Sequence, residues 1–127
     1  MNKRFALTLI AFGLVAALTG CGGSGSPASA TAPSTGKEVV VRMVEMAFDQ
    51  ATLQVPAGTT VRWINDGQAA HSVWEGTPGS GKSRFKSAHL SPGKWFDYRF
   101  EVPGTYEIFC NTGSHHLIGM KMSVVVN

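Results

Sequence analysis

The sequence predicts an all-β domain, a sandwich or barrel, on three observations. Residues 37–127 break into short runs rich in β-branched and aromatic residues. Turn residues punctuate these runs about every 8 to 12 positions, as at Pro56-Ala57-Gly58 and Pro103-Gly104. No long run follows the helical period, and no internal repeat is present. Parallel strand pairing needs crossover helices, which the pattern lacks, so parallel pairs are not expected.

The elements follow in order. Lys37 to Met46 (KEVVVRMVEM) is the first expected strand, with Met43 and Met46 on its opposite faces. Both methionines, like Met122, fit core packing, because the thioether fills irregular apolar gaps. Ala51 to Val55 is short and alternating, and Thr59 to Asn65 (TTVRWIN) follows the first turn. His71 to Trp74 is expected as a fourth strand, and Glu75 to Ser83 (EGTPGSGKS) as a loop. Lys94 to Val102 alternates, with Phe96, Tyr98 and Phe100 on one face and Trp95, Asp97 and Arg99 on the other. Thr105 to Cys110 aligns Tyr106, Ile108 and Cys110 on one face, and Met120 to Val126 closes the chain. Alternation leaves the order of the strands in the sheets open.

The N-terminus belongs to a different class of segment. Lys3 and Arg4 precede an apolar run, Phe5 to Leu18, and small residues follow. The run is short for a membrane span and has the layout of an export signal. Leu18-Thr19-Gly20-Cys21 resembles the lipobox of bacterial lipoproteins, in which cleavage leaves the cysteine first and lipid is attached to its sulfur. The alternative is an ordinary signal peptide cut near Ala30. Residues 22–36 (GGSGSPASATAPSTG) hold no charge and almost no large side chain, so they cannot bury enough surface to offset chain entropy. The expected organisation is a signal over residues 1–20, a lipidated Cys21 with a flexible linker over 21–36, and one small domain over 37–127. Losing Lys3 and Arg4 leaves nine basic against eight acidic residues, a net charge of +1, so the formal +3 carries no argument for nucleic acid. Lys82, Arg84 and Lys86 form a small basic cluster of the kind that solvates a loop, or that docks an acidic partner.

The two cysteines, Cys21 and Cys110, could form one disulfide. If Cys21 carries lipid, Cys110 is left as a lone thiol in an oxidising compartment, a liability unless it is buried or metal-bound. Cys110 lies at the end of a strand whose face points to the core. His115 follows five residues later and Met120 five beyond that, in a loop able to curl around one point. His71 follows the loop NDGQAA and is the candidate for a second nitrogen donor. Two imidazoles, a thiolate and a weak axial thioether are the donor set of a blue-copper electron-transfer site. Thiolate and thioether favour Cu(I), and imidazoles suit Cu(II). His89, in SAHLSPG, is expected in a loop outside this set.

Residues 37–127 are identified as resembling a cupredoxin of the plastocyanin/azurin family. The stretches VPAGTTVRWIND…HSV, PGTYEIFC and CNTGSHHLIGMKMSVVV carry the likeness. The resemblance implies a Greek-key sandwich and copper ligands His71, Cys110, His115 and Met120. It favours the C-x4-H-x4-M frame through His115 over the C-x5-H-x3-M frame through His116. There are two departures. Ser72 stands where many members have an asparagine that ties the two ligand loops together, and NTGSH stands where a Pro-Gly-His ending is common. The function implied is that of a lipid-tethered, exported, monomeric one-electron carrier cycling between Cu(I) and Cu(II), docking briefly on redox partner proteins. The alternative is an extracytoplasmic copper chaperone or copper-storage lipoprotein. An enzyme is not expected, because four histidines leave too few for further copper sites. A Cys-His nucleophile would leave Met120 and His71 without a task. A metal-free adhesive sandwich remains the structural alternative.

Overall fold

The structure, a computed structural model, describes residues 36–127, so the signal, Cys21 and nearly all of the linker lie outside the described residues. Eight strands run in chain order. They are β1 (Glu38–Val44), β2 (Ala47–Phe48), β3 (Thr52–Val55), β4 (Thr59–Asn65), β5 (Trp74–Glu75), β6 (Trp95–Phe100), β7 (Gly104–Phe109) and β8 (Lys121–Val126). Among the described residues a single 3₁₀ turn, His115–Ile118, interrupts them. The strands form two sheets, ordered β2-β1-β4-β6 and β3-β8-β7-β5. This is a two-sheet β-sandwich, as the alternation predicts.

Alternation puts the core between the layers. Val41, Met43, Val61, Trp63 and Phe100 face inward from one sheet. Leu53, Val55, Tyr106, Ile108, Met122, Val124 and Val126 face inward from the other. Each large apolar side chain so buried contributes about 1.5–3 kcal/mol. Trp63 is central. Its Nε1–H reaches Met122 Sδ across the sandwich at 3.4 Å, and it packs against Phe85, Phe96 and Phe100, each 6.2 Å between ring centroids. Phe85 comes from the long connection between β5 and β6, and stacks on Tyr98 at 3.7 Å. That connection is therefore anchored by an aromatic plug.

Two pairings depart from expectation. β1 pairs with β4 in parallel, and β3 with β8. No helix is needed, because the chain crosses between layers: β3 lies in the opposite sheet and serves as the crossover from β1 to β4. β1 also stops at Val44. Met46 takes a left-handed backbone conformation, φ 60°, in the turn before β2, and is half-buried rather than a strand residue of the core. Met43 and Met122 are core residues as expected.

Candidate metal centre

Two loops at one end of the sandwich bring the donors together. The first runs from Cys110 to Met120. Cys110 continues the inward face of Tyr106 and Ile108 one residue beyond β7 and is fully buried, with no disulfide. Its N–H donates to the Met120 carbonyl at 3.1 Å, and the Met120 N–H donates to the His115 carbonyl at 3.0 Å. The spacing of five residues, twice, thus closes into one backbone-bonded ring. The turn His115–Ile118 ends at Gly119, whose φ of 102° suits a residue without a β-carbon. The Met120 side chain is completely buried, just before β8 begins at Lys121.

The second loop joins β4 to His71 and is held from outside. Asn65, fully buried at the end of β4, donates its amide to the carbonyls of Ala69 and Leu90, both at 2.8 Å, and accepts from the Gly67 N–H at 2.9 Å. This is an Asx turn with two further ties. Glu45, in the β1–β2 turn, accepts the N–H groups of Gln68 and of Ala69, the latter at 3.2 Å. His71 exchanges two backbone bonds with Leu90, 3.1 and 2.7 Å, in an isolated bridge rather than a strand. The expected strand from His71 to Trp74 shrinks to Trp74–Glu75 for a simple reason. The Ser72 N–H goes to Cys110 Sγ at 3.3 Å and the Val73 N–H to Ser87 Oγ at 2.9 Å. Backbone donors that serve side chains cannot build a ladder.

The donors converge. His71 Nδ1 lies 3.2 Å from His115 Nδ1, and Cys110 Sγ lies 3.5 Å from His115 Nδ1. The three ligand atoms all fall within 4.8 Å of one another. Burial, reinforced by the positive charge that His115 would carry, holds His71 below the usual histidine range and favours its neutral imidazole. A neutral imidazole keeps a lone pair for a metal. Two Nδ1 lone pairs and a sulfur facing one point gain most from a cation at that point.

Ser72 ties the two loops together. Its hydroxyl oxygen accepts the Asn111 N–H at 2.9 Å and the Thr112 hydroxyl at 3.2 Å. With both donors directed at it, the Ser72 hydroxyl hydrogen is free to turn toward Cys110 Sγ, 3.8 Å away. The departure from asparagine therefore leaves the link intact. His116 turns elsewhere and packs edge-on against Phe109 at 5.9 Å. His89 is exposed, 3.1 Å from the Thr112 hydroxyl and outside the cluster. In the basic cluster, Arg84 pairs with the buried Glu75 at 3.2 Å and covers Tyr106, and Lys86 lies over Trp74. Asn65 and Glu45 were missed by sequence reasoning. Asn65 carried a usable signal, since Asn-Asp-Gly after a strand is Asx-turn chemistry. Glu45 carried none, because its partners lie more than twenty residues away.

Comparisons with known proteins agree with this geometry. The copper-binding proteins of the plastocyanin/azurin family match residues 36–127. Amicyanin-alpha of Methylorubrum extorquens is 31% identical over 107 residues, 84% of this chain and 85% of its own. Plastocyanin of Scenedesmus fuscus is 29% identical over 87 residues, 64% of this chain and 87% of its own. Among solved structures, a reduced tryptophan-to-tyrosine variant of amicyanin superposes with a TM-score of 0.61 at 26% identity, over 77% of this chain and 87% of its own.

Proposed function

The chain belongs to the plastocyanin/azurin family of copper-binding proteins and its cofactor is copper, and on that premise we propose that it is an exported one-electron carrier tethered to a membrane. The observation that carries the reading is the convergence of His71 Nδ1 and Cys110 Sγ, both buried, with Nδ1 of the half-buried His115. This donor set fits copper, as thiolate plus imidazole is the combination that serves both of its oxidation states. His71, Cys110 and His115 would hold the copper, and Met120 would add a weak thioether donor. Bound there, copper supplies reversible exchange of one electron between Cu(I) and Cu(II).

The protein's part is to hold the donors still. Ser72 fixes the thiolate sulfur by its backbone N–H and adjoins it with its hydroxyl. His71, Cys110 and Met120 are fully buried, which keeps water from these three side chains, while His115 is half-buried at the rim. That burial supports a carrier over a chaperone or store, whose metal must exchange. Next to His115, Leu117 and Ile118 are 74% and 64% exposed, an apolar rim suited to brief contact with a redox partner.

The test is copper reconstitution. An intense band in the red and a small Cu(II) hyperfine splitting are expected, both from the Cys110 thiolate, and Cys110→Ala should abolish them. A variant that keeps the colour would sink the assignment. The tether is tested separately. Cys21→Ala should move the protein from the membrane fraction to the soluble one with its copper spectrum unchanged. Continued attachment after normal cleavage would argue against lipidation.

A further inference from the structure

The β1–β2 turn holds an acidic residue that the copper chemistry described so far does not use. Glu45 projects over the loop that delivers His71 and accepts the N–H groups of Gln68 and Ala69 through one oxygen, Oε1. Gly67 separates that oxygen from the imidazole. A β-carbon at Gly67 would lie 2.7 Å from Glu45 Oε1 and 3.2 Å from His71 Nε2. The oxygen and the ring nitrogen are therefore within about 6 Å of one another, close enough for a strong charge effect. No side chain larger than hydrogen fits between them without displacing one.

His71 Nε2 is the other half of the pair. It is buried and has no hydrogen-bond partner. With Nδ1 turned to the donor cluster as a lone pair, the ring proton sits on Nε2. A buried N–H without an acceptor is costly, and a carboxylate on its far side offsets part of that cost. The charges around Glu45 leave it available. Asp66, the nearest acid on the loop, is already paired with Arg42. The ion pairs of the described residues include none with Glu45. Its carboxyl is held below the usual range, first by the Gln68 N–H, so it is ionised at neutral pH.

We propose that Glu45 is a positioning residue for the copper centre: through the Gly67 gap its carboxylate faces His71 Nε2, fixes the His71 loop, and lowers the reduction potential by favouring the more positive, oxidised site. The proposal rests on His71 being a ligand. The direction follows from Coulomb's law, since a negative charge stabilises the state with the greater positive charge. Because Glu45 is solvent-exposed, the effect is screened and depends on salt.

The experiment compares the native protein with Glu45→Gln and Glu45→Lys. Glutamine keeps an oxygen to accept the two N–H groups and removes only the charge. At low ionic strength the potential should rise from native to Gln to Lys. The first step should shift the Cu(I)/Cu(II) ratio at fixed ambient potential by roughly three- to tenfold, a tenfold change being about 59 mV for one electron. The gap should narrow at about 1 M salt, where the Debye length is about 3 Å. Equal potentials for native and Gln at low salt would overturn the proposal, even if Glu45→Ala differed, since that pattern marks a clamp without a charge effect. A second reading uses copper-free protein. The His71 Nε2 nitrogen resonance should move on Glu45→Gln while the Gln68 and Ala69 amides stay protected from hydrogen exchange. A stationary Nε2 resonance would also overturn it. If native protein shows no red band, the ligand assignment has failed instead, and the copper-free measurement still decides whether Glu45 faces His71.

Discussion

The two loops that supply the donors are built on opposite plans. The loop from Cys110 to Met120 is shaped mainly by its own backbone. Bonds run between its own members, Cys110 to Met120, Met120 to His115, His115 to Thr112 and Leu117 to Ser114, and Ser72 ties its start to the other loop. The loop before His71 is held from elsewhere, by Glu45 from β1–β2, by Leu90 from the β5–β6 connection, and by Asn65 from the end of β4. One loop can be changed at a side chain without losing its shape. The other depends on distant partners, so damage far from the donors reaches it.

The largest effect tests the self-held loop. His115→Gly removes a donor but leaves every backbone bond of that loop in place, so the fold should survive and the red band should vanish. Added imidazole should restore colour by entering the gap. His116→Ala should leave the spectrum nearly unchanged, because His116 packs on Phe109 outside the cluster. The opposite outcome would move the donor one residue along and undo the comparison.

The same contrast explains what the sequence could disclose. Strands β6 and β7 were legible because alternation is local, and the approach of Cys110 to His115 was legible because five-residue spacing within one loop is local too. The parallel pairs β1·β4 and β3·β8 were not, since they depend on the chain changing layers. The shortness of β5 was hidden for a related reason. Ser72 and Val73 give their N–H groups to Cys110 and Ser87, fourteen or more residues away. His71 could be nominated by its place after a loop, but nothing local to it names Asn65, Glu45 and Leu90 as the residues that aim it. Met46 read as a strand residue because its apolar character fits β1, while its left-handed φ is imposed by the turn to β2.

The externally held loop should answer to a change that touches no donor. Asn65→Ala leaves the Ala69 and Leu90 carbonyls and the Gly67 N–H without their partner in a buried site. The cost should be about 2–4 kcal/mol of folding stability. Copper uptake should be slower and the red band weaker, because His71 is no longer aimed. Urea unfolding and stopped-flow copper titration would check both. A loss of stability with native copper uptake would show that Glu45 and Leu90 suffice to aim the loop.

The smallest effect is a pH dependence confined to the copper-free protein. His71 is buried in the folded state, and burial holds it below its unfolded value of about 6.5. Above that value the imidazole is neutral whether the chain is folded or not, and pH makes no difference through this group. As pH falls below about 6.5, the unfolded chain binds a proton that the folded chain resists, so stability declines through the window down to the folded pKa. One group sets a ceiling of about 1.4 kcal/mol per pH unit on that decline. Urea midpoints of copper-free protein at a series of pH values between about 7.5 and 5 would measure it. His71→Gln, which cannot titrate there, should flatten the profile over that range. If the variant declines as steeply as the native protein, the acid sensitivity belongs to other groups, and the loop held from outside carries no special burden at His71.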